Sequence, residues 1–150
     1  VSFSSVPRRT ILTTAVALCS GCTALTGSDD NYKFRAEDKT IDRIDARCRG
    51  TDNAATVDFR SNAVIVVSGR IRTNDPCEPL FVSVFSPPAG SDEESAILRV
   101  STDPSDTCAR SCESTIEYRA RLQLNQQPSP VDVFHAAHDR EEVKATTAWA

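Results

Sequence analysis

Six cysteines and two histidines carry most of the potential chemistry in this 150-residue chain. Thiols can bridge, ligate a soft metal, exchange with disulfides or accept lipid; imidazoles can ligate or shuttle protons. Their positions separate these uses. Cys19 and Cys22 close a short apolar segment, Cys48, Cys77, Cys108 and Cys112 are dispersed, and His135 and His138 come late.

The N-terminal pair belongs to a recognisable arrangement. Arg8 and Arg9 precede residues 10–18, a mildly apolar stretch, and Ser20 and Gly21 precede Cys22. Paired arginines before an apolar run form a twin-arginine type of export signal, and small residues before a cysteine form a lipobox-like cleavage site. The stretch is far short of the roughly 20 apolar residues that span a bilayer. No acidic residue occurs before Asp29. One feature departs from a lipobox: Cys19 stands three places before Cys22, where Leu is usual. A plain secretory signal and an ordinary N-terminal helix are the competing readings. The expectation is a signal peptide over residues 1–21, lipidation of Cys22, a small and polar tether over 22–31, and a single domain over 32–150.

Three reactive readings of the remaining residues compete with a structural one. Cys108 and Cys112 with His135 and His138 could hold zinc or copper, since both metals take thiolate and imidazole ligands. Exported cysteines oxidise, however, and the paired CxxC…CxxC arrangement of a zinc site is absent. Disulfide exchange through Cys108 and Cys112 favours two intervening residues at a helix N-terminus, whereas three residues in a loop separate these two. A Ser/His/Asp hydrolase could recruit Asp132 or Asp139, but no G-x-S-x-G elbow presents a serine. The acidic groups Asp92, Glu93 and Glu94, and Glu141 and Glu142, read as solvated turn charges without the ligand spacing of a calcium loop. His135 reads as a rim residue at a strand end, Tyr118 as core, and Trp149 as chain-end packing. The expectation is therefore no enzyme and no cofactor.

The elements that must position these residues follow a period of two. Ile44, Ala46 and Cys48 alternate with charges, as do Ala55, Val57 and Phe59. Residues 63–71 form a continuous β-branched run, which suits a central strand buried on both faces. Leu80, Val82 and Val84 make another strand, and Ala96, Leu98 and Val100 the next. Ile116, Tyr118, Ala120, Leu122 and Leu124 form the clearest face, opposite Glu117, Arg119, Arg121 and Gln123. Val131, Val133 and His135 follow, with a weak last strand over residues 143–147. Helix-like spacing at Ile41, Ile44 and Cys48 is the one competing signal, and strand is preferred there. Turn residues separate the runs at 51–53, 61–62, 74–76, 87–91, 103–106 and 128–130. Strands at this spacing predict an all-β, immunoglobulin-like antiparallel β-sandwich of seven or eight strands.

Charge narrows the partners. The chain carries 17 Lys and Arg against 21 Asp and Glu, a net charge of −4; loss of the signal removes Arg8 and Arg9 and makes the balance more acidic. Such a domain does not seek nucleic acid by electrostatics. Arg outnumbers Lys and Asp outnumbers Glu, a composition seen in salt-adapted proteins. The four dispersed cysteines of an exported domain imply two disulfides. Three pairings are possible and the sequence does not choose among them. Linking Cys48 and Cys77 to the Cys108/Cys112 segment closes long loops, worth roughly 3–4 kcal/mol each. Of these, Cys77–Cys108 with Cys48–Cys112 is preferred.

The succession Val66, Val67, Ser68, Gly69, Arg70, Ile71; Asn74, Asp75, Pro76, Cys77; Cys108 to Cys112; Ile116, Glu117, Tyr118, Arg119, Ala120; and a late Val-x-Val with His resembles a group of small haloarchaeal exported lipoproteins of the twin-arginine type. The resemblance covers about residues 8–140. It implies an exported, disulfide-bearing β-domain on the outer face of the membrane, and it implies no activity. Partners are expected to be the membrane through the lipid, and another cell-envelope protein or a small ligand.

Overall fold

In the computed structural model, residues 31–49, 53–104, 108, 112–137 and 140–147 are described, the last group through its backbone. All of these but Asn31 belong to the compact unit Tyr32–Ala150. Eight strands follow in order: β1 (Ala36–Arg47), β2 (Ala54–Arg60), β3 (Val64–Thr73), β4 (Leu80–Phe85), β5 (Ala96–Thr102), β6 (Ser114–Leu124), β7 (Val131–Ala137) and β8 (Arg140–Thr147). No helix among the described residues is long and apolar enough to cross a membrane.

The strands form two four-stranded sheets, ordered β1-β6-β3-β2 and β4-β5-β7-β8. Alternation decides which side chains meet between them. On β6, Ile116, Tyr118, Ala120 and Leu122 are fully buried, while Glu117, Arg119 and Arg121 face out. Ile65, Val67 and Ile71 of β3 join them from the same sheet, and Val82, Leu98, Val100, Val131 and Val133 meet them from the other. The fold is a disulfide-stabilised β-sandwich.

One pairing departs from the wholly antiparallel arrangement expected. β5 and β7 run parallel, Leu98 opposite Val133 and Val100 opposite His135. A parallel pair needs a crossover rather than a hairpin. β6 supplies it, because the chain leaves β5, runs through the other sheet and returns to lie beside β5 in the same direction.

Two local features hold the first sheet in shape. The β2–β3 hairpin turns through Ser61, Asn62 and Ala63, the last two at φ of 62° and 58°. Asn tolerates this left-handed conformation; Ala63 is held there by its carbonyl, which accepts from the Leu124 amide at 3.0 Å. Gly69 faces the core where only hydrogen fits: a Cβ there would lie 2.5 Å from the Ala54 oxygen and 2.6 Å from the Tyr118 hydroxyl.

Candidate functional site

At one end of the sandwich the four cysteines form two bridges, Cys48–Cys112 and Cys77–Cys108, with Cα separations of 5.5 and 5.3 Å. The second is organised by Asp75, a buried residue in the turn after β3. Its Oδ1 accepts from the amides of Cys77 at 2.8 Å and Cys108 at 3.1 Å, holding both half-cystines from one carboxylate oxygen. Glu78, also buried, accepts from the Asp75 amide at 3.2 Å through Oε2. Asp75, Cys77 and Cys108 are the one grouping of three metal-ligating residue types among the described residues. Metal takes thiolates, and here both sulfurs are bonded to each other.

The second polar constellation lies in the core. Tyr118 on β6 and His135 on β7 meet across the sandwich, with Oη and Nε2 2.6 Å apart and the rings edge to face. His135 Nδ1 lies 2.6 Å from Asn53 Oδ1, just ahead of β2. That oxygen only accepts, so Nδ1 donates to it; in the neutral tautomer this implies, Nε2 accepts from the Tyr118 hydroxyl. Burial pushes the Tyr118 phenol well above its ordinary pKa, since no water solvates the phenolate. The expectation of His135 as a rim residue is thus corrected. β7 continues past it to Ala137, and His135 shares the inward parity of Val131 and Val133.

The third feature is a concavity of about 640 Å³ on the outer face of the first sheet. Its floor is Val64 and Val66 of β3, which are buried although no layer among the described residues covers that face. Arg119, Arg121 and Gln123 of β6 stand on one bank, and Arg60, Ser61 and Asn62 of the β2–β3 hairpin on the other. Thr40 and Asp42 of β1 line the far edge. The ladders put Arg121 beside Val66 and Thr40, and Val64 between Gln123 and Arg60. Arg60 shares its Nε with Asp58 at 2.8 Å. Arg119 and Arg121 make no ion pair or hydrogen bond among the described residues. The outer face of the second sheet is different in kind, with Phe81 and Phe85 of β4 half exposed.

The structure does not assemble the metal set anticipated from sequence. Cys108 and Cys112 enter different bridges, His135 is buried beside Tyr118, and His138 lies outside the described residues. Nor does it assemble the hydrolase set: Asp132 takes the outward parity of β7, opposite to His135, and Asp139 is outside the described residues. Asp92, Glu93 and Glu94 are exposed, and Lys33 ties their loop by donating to the carbonyls of Ser91 and Glu93 and to Glu94 Oε1, each within 2.9 Å. Glu141 and Glu142 lie within β8. Arg8, Arg9, Cys19, Cys22 and nearly all of the 22–31 tether fall outside the described residues, as does Trp149. Asn53 and the Arg119/Arg121 bank were not anticipated as site residues. The parity of residues 131, 133 and 135 is the signal that could have placed His135 and its partners.

These features define a class by architecture: a two-sheet β-sandwich with a cross-linked end, a closed polar core and one open arginine-lined face. No family model matches the chain, and no curated protein or solved structure matches it.

Proposed function

We propose that this chain is a lipoprotein anchored at the extracytoplasmic face of the cell membrane through Cys22, exported by the twin-arginine signal at Arg8 and Arg9, and that its β-sandwich acts by binding rather than by catalysis. The observation that carries the reading is the pair of disulfides. Bridges separated by 64 and 31 residues constrain most of the domain's length. Such cross-links persist in oxidising compartments outside the cytosol. They therefore support export independently of the N-terminal residues. Within this reading the domain belongs with the haloarchaeal exported lipoproteins it resembles, and its acidic, Lys-poor composition suits a saline exterior.

The binding assignment draws support from the location of the polar groups. The Tyr118 and His135 pair is buried within the sandwich, where it fixes packing, and Asn53 joins it at the half-buried margin. The outer face of the first sheet, by contrast, offers guanidinium and amide groups to solvent. One acyl chain gives only marginal anchoring, so Cys22 carries a two-chain lipid. The test is the intact mass of protein extracted from membranes, with thiol alkylation before and after reduction. The expected species begins at Cys22, carries a lipid increment and exposes four thiols only after reduction. A lipid-free soluble product would refute the anchor, and thiols reactive without reduction would refute the structural role of the bridges.

A further inference from the structure

We infer that the arginine-lined concavity on the outer face of the first sheet is a binding site for an acidic sugar, a hexuronate unit of an anionic glycan. The inference rests on the binding reading above and names the ligand class. Three guanidiniums, Arg60, Arg119 and Arg121, line the concavity with one carboxylate, Asp42; Arg60 is paired with Asp58, so the surplus is carried by Arg119 and Arg121. This is a local positive surplus on a chain whose net charge is −4. Arg119 and Arg121, two residues apart on the same face of β6, hold their Cα atoms about 7 Å from each other. Asp42 stands directly opposite Arg119 in the β1/β6 ladder, yet the two form no ion pair among the described residues. A pair so exposed would contribute little to stability. Arg121, whose β1 neighbour is the neutral Thr40, is the better anchor.

The geometry selects a carboxylate attached to a hydroxylated ring over a bare polyanion. A guanidinium offers parallel N–H donors that match a carboxylate in two-point contact. Arg60 lies across β3 from Gln123, and its partner Asp58 across β3 from Arg121, each about 10 Å away at ordinary strand spacing. Between them the floor is apolar, Val64 and Val66, a surface that can receive the C–H face of a ring. Thr40, Ser61, Asn62 and Gln123 complete the lining. The two hydroxyls and the Asn62 amide can both donate and accept, as sugar hydroxyls require, while Gln123 Nε2 already donates to the Asn62 and Leu124 carbonyls and leaves its Oε1 to accept. A volume of about 640 Å³ falls within the usual span of small-ligand sites. A dense polyphosphate would gain from the arginines and accept from the hydroxyls, but it offers no C–H face to the apolar floor and no donors to the lining's acceptor oxygens. With its higher charge, the acidic remainder of the domain repels it more than a uronate.

The test titrates the full chain, in detergent, with trigalacturonate, the neutral trisaccharide maltotriose and inorganic phosphate, followed by calorimetry and by amide shifts. The expected result is saturable binding of trigalacturonate, with the largest shifts at residues 60–66 and 119–123. Maltotriose and phosphate should bind at least tenfold more weakly. The Arg119→Gln/Arg121→Gln protein should lose at least tenfold in affinity, whereas Arg47→Gln, outside the concavity, should keep it. These variants alter exposed side chains, and an unchanged melting temperature confirms that each remains folded. No binding of trigalacturonate, equal binding of maltotriose or of phosphate, or an unaffected double variant would each overturn the assignment. The anchor is read separately by intact mass, so failure here leaves that result standing.

Discussion

Removing one oxygen atom tests the core network most directly. Tyr118→Phe preserves the ring, which is fully buried, and deletes only the hydroxyl that lies 2.6 Å from His135 Nε2. Water does not replace the lost donor, because His135 is itself only 2 % exposed. The variant therefore forfeits a net hydrogen bond and leaves a buried acceptor without a partner, a loss of about 1–3 kcal/mol. For a domain of this size each kcal/mol corresponds to about 3–6 °C in melting temperature. His135→Leu makes the complementary cut by stranding the Tyr118 hydroxyl, while Asn53, half-buried, can turn to solvent. Once both partners are gone there is nothing left to strand, so Tyr118→Phe/His135→Leu should be more stable than the two single losses added together. The coupling energy from urea unfolding of all four proteins should reach at least about 1 kcal/mol. Additive losses, or a Tyr118→Phe protein as stable as the parent, would refute the claim that these residues act as a bonded pair.

Three other outcomes follow from the same framework. Burial raises the folded-state pKa of Tyr118 above its unfolded value near 10, so its contribution is complete below about pH 10 and is lost as pH rises beyond that; urea midpoints at pH 9 and pH 11 should fall in the parent more than in Tyr118→Phe, and equal falls would exclude this origin. Gly69→Ala should destabilise by about 1–3 kcal/mol or more, since its Cβ would meet both the Ala54 backbone oxygen and the Tyr118 ring; an unchanged melting temperature would show that the backbone yields there. Cys48→Ala/Cys112→Ala removes a cross-link across 64 residues and should reduce stability by about 2–5 kcal/mol, with amide exchange accelerated first along β1; acceleration confined to other strands would contradict that placement.

Period-two patterning made the strands legible because a half-buried sheet imposes that period on its side chains. β6 is the clearest case: Ile116 through Leu124 alternate with Glu117 through Gln123, and the structure buries the first set and exposes the charged members of the second. Strand direction is not encoded in alternation, so the parallel β5–β7 pair was hidden; it arises from a crossover through the other sheet. Burial on both faces, expected over residues 63–71, holds at 64–67 but not at Ser68 and Arg70, which are exposed. The outer cover of Val64 and Val66 is arginine, threonine and amide side chains rather than a second layer among the described residues. That concavity depends on the register of four strands at once, and no single segment announces it. His135 was misplaced for a simpler reason. Its polarity suggested the rim, while its parity with Val131 and Val133 pointed inward, and a hydroxyl at Tyr118 supplied the partner that makes burial tolerable.

The two ends of the sandwich perform different physical tasks, and the chain path explains why. The described chain begins beside the loop at Pro87 and Pro88, where the Lys33 amide donates to the Pro87 carbonyl, and runs directly into β1. β1 is an edge strand, hydrogen-bonded within its sheet to β6 alone. An edge strand joined to a tether is the element most readily peeled from a sheet, because its ladder can open in sequence without disturbing the core. Here the near end is held by Asn125, whose Oδ1 accepts from the Arg35 amide at 2.7 Å and whose own amide donates to the Arg35 carbonyl at 3.1 Å. The far end is closed covalently, since Cys48 follows β1 by one residue and bridges to Cys112, just ahead of β6. Under the proposed anchoring, a pull on the N-terminus can open the β1–β6 ladder from Ala36 only as far as the bridge, which keeps the two strands tied. The disulfide thus limits the loss where the hydrophobic core contributes least.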